Sequence, residues 1–113
     1  IVLIVEELES EKLTTVCDGK TSAVFDFNML SFPLIVRPRK AGDFFYPSGF
    51  GRRKKIQDFF VDEKVPRDER DCIPLLTCRD DILWVVGYRT DERYKVDKDT
   101  KRALRFIIKA LKK

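Results

Sequence analysis

Residues 1–5, Ile1-Val2-Leu3-Ile4-Val5, form an unbroken apolar run rich in β-branched side chains, and an acidic stretch follows them. That pattern predicts a buried strand entering an exposed turn. Residues 13–17 and 20–27 are two further β-rich runs with Asp18-Gly19 between them. Asp-Gly at that position predicts a tight type I′ hairpin, because both turn residues need positive φ. On the second arm, Thr21, Ala23, Phe25 and Phe27 alternate with Ser22, Val24 and Asp26, so the two sets face opposite ways. Residues 28–31 read as a turn and 33–37 as a strand, with Pro33 tolerated at its first position.

Within residues 54–64 the period changes. Ile56, Phe59 and Phe60 fall at i, i+3 and i+4 and give a short helix one apolar face. Pro66 ends that helix and suits the first turn of a second one over residues 67–71. Residues 74–78 and 82–88 then predict a hairpin around 79–81. Its second arm, Ile82-Leu83-Trp84-Val85-Val86, lacks polar alternation, so both faces are expected to be covered and Trp84 to be core. Gly87 allows a bulge or a close approach, and residues 89–96 read as a polar connection with a short extended piece. The last segment carries two periods. Leu104, Ile107, Ile108 and Leu111 fit a helix, whereas Leu104, Phe106, Ile108 and Ala110 fit a strand. The reading adopted is a turn at 99–102 followed by a strand. The elements together predict an α+β fold, mainly β, with short helices.

Composition narrows the picture. The 113 residues argue for one compact unit, divided only into leading strands and hairpin (1–33) and a larger part (34–113). Nine Phe, three Tyr and one Trp supply enough apolar bulk to argue against disorder, although 37% of residues are charged. Cys17, Cys72 and Cys78 form no C-x-x-C pair. Their odd number suggests reduced thiols in a cytoplasmic setting, each packing as a small apolar group. The absence of histidine argues against a zinc site and removes the commonest general base. The opening apolar run is too short for a membrane span, and no initiator Met precedes it, which reads as a piece of a longer protein. No cofactor motif and no catalytic constellation is legible, so the chain is not itself expected to be an enzyme.

Charge adds a candidate chemistry. The net charge is only +4, but residues 37–55 hold seven cations against one carboxylate, Asp43, interleaved with glycines, prolines and four aromatics. Residues 101–113 add six cations and no acid. Clustered cations suit a polyanion, and the plain alternative is a solvated surface. Arg37, Arg39 and Lys40 leave a strand and enter a turn, from which they contact phosphate or pair locally with Asp43. Arg52, Arg53, Lys54 and Lys55 follow Gly49 and Gly51 at a helix start, where an anion would relieve the clash of cations with the helix dipole. The Walker spacing is absent. Lys64, Arg67 and Arg70 flank Pro66, and Arg70 either clamps a phosphate or pairs with Asp71 or Glu63. Phe44, Phe45, Tyr46 and Phe50 are expected to pack or anchor the loop rather than stack on bases.

Three stretches together resemble a known family. They are Leu34-Ile35-Val36-Arg37-Pro38-Arg39-Lys40-Ala41-Gly42-Asp43, then Lys54-Lys55-Ile56-Gln57-Asp58-Phe59-Phe60 running to Pro66 with Arg70 and Pro74, then Ile82-Leu83-Trp84-Val85-Val86-Gly87-Tyr88-Arg89. In this order they resemble the C-terminal domain of tRNA(Ile)-lysidine synthetase. The resemblance implies a sandwich-like fold also found in the β subunit of phenylalanyl-tRNA synthetase. It implies a domain that holds the acceptor stem of a tRNA for an ATP-dependent, bacterial-type ligase, which attaches lysine to the wobble cytidine of a minor isoleucine tRNA. ATP and Mg2+ belong to that family's N-terminal catalytic domain, whose Ser-Gly-Gly-x-Asp-Ser loop does not occur here. The expected partners are therefore tRNA and that catalytic domain, with no membrane. The expected RNA contacts are Arg37, Arg39, Lys40, Arg52, Arg53, Lys54, Lys55, Lys64 and Arg70. The competing reading is a docking module that binds another domain or a second copy of itself, without RNA.

Overall fold

The computed structural model describes residues 2–9 and 18–110. Its elements in chain order are β1 (Val2–Glu9), β2 (Ser22–Asp26), β3 (Leu34–Arg37), β4 (Phe44–Phe45), β5 (Lys54–Lys55), α1 (Ile56–Asp62), β6 (Leu75–Cys78), β7 (Asp81–Val85), β8 (Arg89–Thr90) and β9 (Arg102–Ala110). Short 3-10 turns occupy Phe27–Met29, Arg67–Cys72 and Glu92–Tyr94. The strands form three antiparallel sheets, ordered β1-β9-β2, β3-β6-β7-β8 and β4-β5. This mainly β, sandwich-like arrangement with short helices agrees with the expected class.

The core between the two larger sheets is built from alternation. Ala23 and Phe25 of β2 and Leu104 and Phe106 of β9 meet Leu76 and Cys78 of β6 and Leu83 and Trp84 of β7. Phe25 and Phe106 touch edge to face, with ring centroids 5.9 Å apart. The other face of the four-stranded sheet carries Leu75, Ile82 and Val85, and α1 lays Ile56, Phe59 and Phe60 against it. Burying each of those three side chains contributes about 1.5–3 kcal/mol. Leu83 and Trp84 are adjacent yet face the same core. The register explains this: Leu76 lies opposite Trp84 and Thr77 opposite Ile82, so Leu83 is an extra residue in β7. That bulge and the two covered faces account for the unalternating run in β7.

The ambiguous last segment is strand β9, which lies between β1 and β2 and holds that sheet together. Two expectations about the first strand are corrected, and the hairpin expected around Asp18-Gly19 has one arm outside the described residues. The first strand runs through the acidic stretch to Glu9, and it is not buried: Val2, Ile4 and Val5 are 50%, 43% and 51% exposed. It is an edge strand, and Glu6 and Glu7 are used in it, pairing with Arg105 and Arg102 across the ladder. The arm at 13–17 lies outside the described residues, and the described partner of β2 is β9. Asp18-Gly19 is a turn held by a side chain, with the Asp18 carboxylate accepting from the amides of Lys20 (2.8 Å) and Thr21 (2.8 Å). Glycine is favoured at position 19 because its φ is +73°, a conformation in which a side chain would be strained. Its carbonyl accepts from Trp84 Nε1 at 2.6 Å, which ties the turn to the core.

Three further readings change. Lys54 and Lys55 precede the helix as the two-residue strand β5, because their backbones pair with Phe45 and Phe44. Cys72 is exposed at the end of a 3-10 turn, whereas Cys78 is buried. Gly87 serves a positive φ of 92° with no close neighbour around it.

Candidate nucleic-acid interface

The chain leaves β3 through a turn that Asp43 organises. Its carboxylate accepts two hydrogen bonds from the Arg37 guanidinium, at 2.9 and 3.0 Å, and a third from the Lys40 amide at 2.7 Å. Partial burial pushes the Asp43 carboxyl up, but the Arg37 and Lys40 hydrogen bonds outweigh it and hold the group below the usual carboxylate range. The hydrogen bond to Asp43 correspondingly raises Arg37. The Asp43 carbonyl then accepts from the Ile56 amide at 2.9 Å, so the turn is fastened to the start of α1. Arg37 is thus a brace within the fold, only 18% exposed along its side chain.

Beside this brace lies an open cleft of about 660 Å3. The turn supplies Arg39 and Lys40, the segment entering α1 supplies Lys55 and Gln57, and the 3-10 turn supplies Arg67 and Arg70. Five cations therefore line it against two carboxylates, Asp43 and Asp71, and both carboxylates are engaged. Arg39 spans the cleft edge. Its Nε pairs with Asp71 at 2.7 Å, and its guanidinium rests 5.9 Å from the Phe60 ring centroid. Arg70 donates Nε to the Val65 carbonyl at 3.0 Å, which fixes its stem. Lys40, Lys55 and Arg67 are exposed and have no ion-pair partner among the described residues.

A second cleft of about 600 Å3 opens on the other side of Lys55. Phe50, Arg52, Arg53 and Lys54 line it, together with Asp58 and Asp62 of α1. Lys54 is paired to Asp62. Phe50 and Phe44 are each 38% exposed. Arg52 and Lys54 lie 5.2 and 4.9 Å from the Phe50 centroid, and Arg53 lies 4.6 Å from that of Phe44. Phe45, by contrast, is fully buried against Phe59. The loop at 46–50 is held from behind by Asp91, a fully buried carboxylate. It accepts from the Tyr46 amide at 2.9 Å and from Arg93 through Nε at 3.1 Å and Nη2 at 2.9 Å. The Ser48 amide adds a bond to the Thr90 carbonyl at 3.0 Å.

The nine cations singled out in the sequence therefore part company. Arg39, Lys40, Lys55 and Arg70 meet in the first cleft, and Arg52, Arg53 and Lys54 join Lys55 in the second. Arg37 lines neither, and Lys64 lies beyond α1 in a positive-φ position, also lining neither. Arg67 was weighed only as a flank of Pro66. Its signal was the spacing to Arg70, since residues three apart eclipse one another in a 3-10 helix. Asp91 gave no signal, and residues 89–96, read as a polar connection, bury both it and Tyr94. Among the described residues no group of three or more His, Cys, Asp or Glu is placed to hold a metal. Among the same residues no helix is long and apolar enough to cross a membrane.

The fold defined by these sheets is shared with solved structures of other proteins. It superposes with a TM-score of 0.65 on an N-terminal fragment of the phenylalanyl-tRNA synthetase β-subunit from Pyrococcus horikoshii. That match is 18% identical and covers 76% of this chain and 27% of the other, a likeness of fold alone. The crystal structure of a TilS C-terminal domain superposes more fully, with a TM-score of 0.78 at 29% identity over 96% of this chain and 85% of that one. Residues 34–106 match the family described as the TilS substrate C-terminal domain, and the chain belongs to that family. It is 45% identical over 86 residues to the tRNA(Ile)-lysidine synthase of Caldanaerobacter subterraneus subsp. tengcongensis, covering 76% of this chain and 18% of the relative. It is 44% identical over 103 residues to that of Parabacteroides distasonis, covering 87% and 24%. The chain thus spans about a fifth of the length of these curated relatives.

Proposed function

We propose that this domain grips the acceptor stem of a tRNA and presents it to a catalytic domain outside these residues. On this reading the whole protein is an ATP- and Mg2+-dependent ligase that attaches lysine to the wobble cytidine of a minor isoleucine tRNA. The observation that carries the proposal is the cleft in which Arg39, Lys40, Lys55, Arg67 and Arg70 converge from three segments while the neighbouring carboxylates are already engaged. A-form duplexes are recognised mainly through backbone and shape, so cations on a braced turn and a helix shoulder suit that target. Arg37 contributes by holding the turn in place. It is the exposed Lys40, Lys55 and Arg67 that would release counterions from RNA.

The test is fluorescence anisotropy of a tRNA acceptor minihelix titrated with the 113-residue chain over a range of salt. Binding should weaken steeply with salt. Replacing Lys40, Lys55 and Arg67 together by alanine should flatten the slope of log K against log salt by about two to three units. No binding even at low salt, or an unchanged slope in the triple variant, sinks the proposal.

A second reading, a docking module for another domain or a second copy, has its own support in the apolar strand edges. Ile35 and Val36 of β3 are 54% and 49% exposed, alongside Val2, Ile4 and Val5 of β1. A concentration-dependent dimer in sedimentation without RNA would favour it.

A further inference from the structure

The second cleft differs in kind from the first. No aromatic side chain lines the first, whereas the second sets a partly exposed phenyl ring among its cations. Phe50 keeps 38% of its surface open although the fold has buried Phe45, Phe59 and Phe60 almost completely. It is also presented with care. The turn at 47–51 is anchored by the Ser48 hydroxyl, 2.8 Å from Thr90 Oγ1, and by the Gly49 amide, which donates to Glu92 Oε1 at 3.2 Å. A ring needed only to anchor the loop would not have to stand at the surface, because backbone and side-chain hydrogen bonds already do that.

We propose that the Phe50 cleft binds an unpaired nucleotide of the RNA, with the base stacked on the phenyl ring and its phosphate held by Arg52 and Arg53. The proposal rests on the RNA reading above and adds that a single-stranded end is recognised separately from the stem. A duplex has no base face free to meet Phe50, whereas an unpaired base has one, and stacking tolerates any base. The cleft volume of about 600 Å3 lies within the range of small-ligand sites. Arg52 and Arg53 are exposed and carry no carboxylate partner among the described residues, so they can leave their rings for a phosphate. Lys54 is committed to Asp62. Asp58 is the other carboxylate lining the cleft, and it has no ion-pair partner among the described residues. It opposes a second phosphate there and suits the exocyclic amino group of a base such as cytosine. Lys55 lines both clefts, so a strand end in the second would follow directly from a stem in the first.

The experiment compares two RNA minihelices by anisotropy, one blunt and one carrying a short single-stranded cytidine extension. The unmodified chain should bind the extended RNA about tenfold or more tightly than the blunt one. Phe50→Leu keeps the apolar bulk and should abolish that difference while leaving blunt-duplex affinity unchanged. Phe50→Trp should keep it, and its indole emission should be quenched by the extended RNA alone. Equal binding of the two RNAs by the unmodified chain overturns the proposal and leaves the stem reading standing. A Phe50→Leu loss shared by both RNAs overturns it too, because the ring then acts only on the fold. If neither RNA binds at low salt, the stem reading falls and this one with it.

Discussion

Removing the Asp91 carboxylate should unlatch the 46–50 loop and cost a large share of the domain's stability. Asp91 is completely buried, and its two oxygens accept from the Tyr46 amide (2.9 Å), the Arg93 amide (2.7 Å) and the Arg93 guanidinium. In Asp91→Ala the Tyr46 amide loses its partner inside the protein, worth about 1–3 kcal/mol. The 3-10 turn at Glu92–Tyr94 loses its cap, worth about 1 kcal/mol. Breaking a buried ion pair costs about 3–5 kcal/mol when the remaining charge stays dry. Here the Arg93 side chain is 32% exposed and retains Asp81 at 3.3 Å, so water and that partner recover much of the pair term. The sum is about 3 kcal/mol, or a fall in Tm of roughly 10–15 °C for a domain of this size. Asp91→Asn keeps one acceptor and should lose about half as much. Urea denaturation supplies both numbers, and hydrogen exchange should show faster local opening at the amides of Tyr46, Ser48 and Gly49. A loss below about 1 kcal/mol in Asp91→Ala, with the m-value unchanged, refutes the assignment of this carboxylate as the latch.

Phe60→Ala should cost about 3–5 kcal/mol in urea denaturation, because Phe60 is fully buried between Phe59, Tyr88 and the four-stranded sheet. It should also loosen Arg39, which rests on the ring, and so weaken RNA binding measured below the unfolding transition. Acid should destabilise the domain through Asp18 and Asp43, whose folded carboxyls both lie below the usual range. A depressed folded pKa means that each contribution is whole above the unfolded value and is lost as pH falls through the folded one. For Asp18, held to about 2 by the Thr21 and Lys20 amides, the loss runs from the ordinary value of 3.8 downwards. Asp18→Asn should therefore be less stable than the unmodified chain at neutral pH and equal to it near the acid end. An equal deficit at both ends of a pH series of urea melts would count against the linkage.

The legible parts of the fold were those coded within a few residues. The period-three-and-four spacing of Ile56, Phe59 and Phe60 predicted α1 and its buried face. The β6–β7 hairpin was readable because its arms and its turn at Arg79 are contiguous, and Arg79 adopts the positive φ that such a turn requires. The candidate site was less readable, since charge marks where cations are and not which of them are spent. Arg37 and Lys40 lie three residues apart on one turn, yet Arg37 is consumed by Asp43 whereas Lys40 stays open. Either outcome fits the same sequence until the turn geometry brings the carboxylate within reach.

By itself the sequence determined α1 and its apolar face, the β6–β7 hairpin, the alternating faces of β2, the doubly covered character of β7, and the family to which residues 34–106 belong. These depend on periodicity and residue type along the chain, and periodicity survives without knowledge of what lies opposite. Only the tertiary structure decided the rest. It placed β9 between β1 and β2, left β1 exposed as an edge, buried Asp91, and gathered Lys40, Lys55, Arg67 and Arg70 from separate segments into one cleft. Strand pairing, desolvation and electrostatic convergence are interactions between residues far apart in sequence. Their sign and strength are set by distances that exist only once the chain has folded.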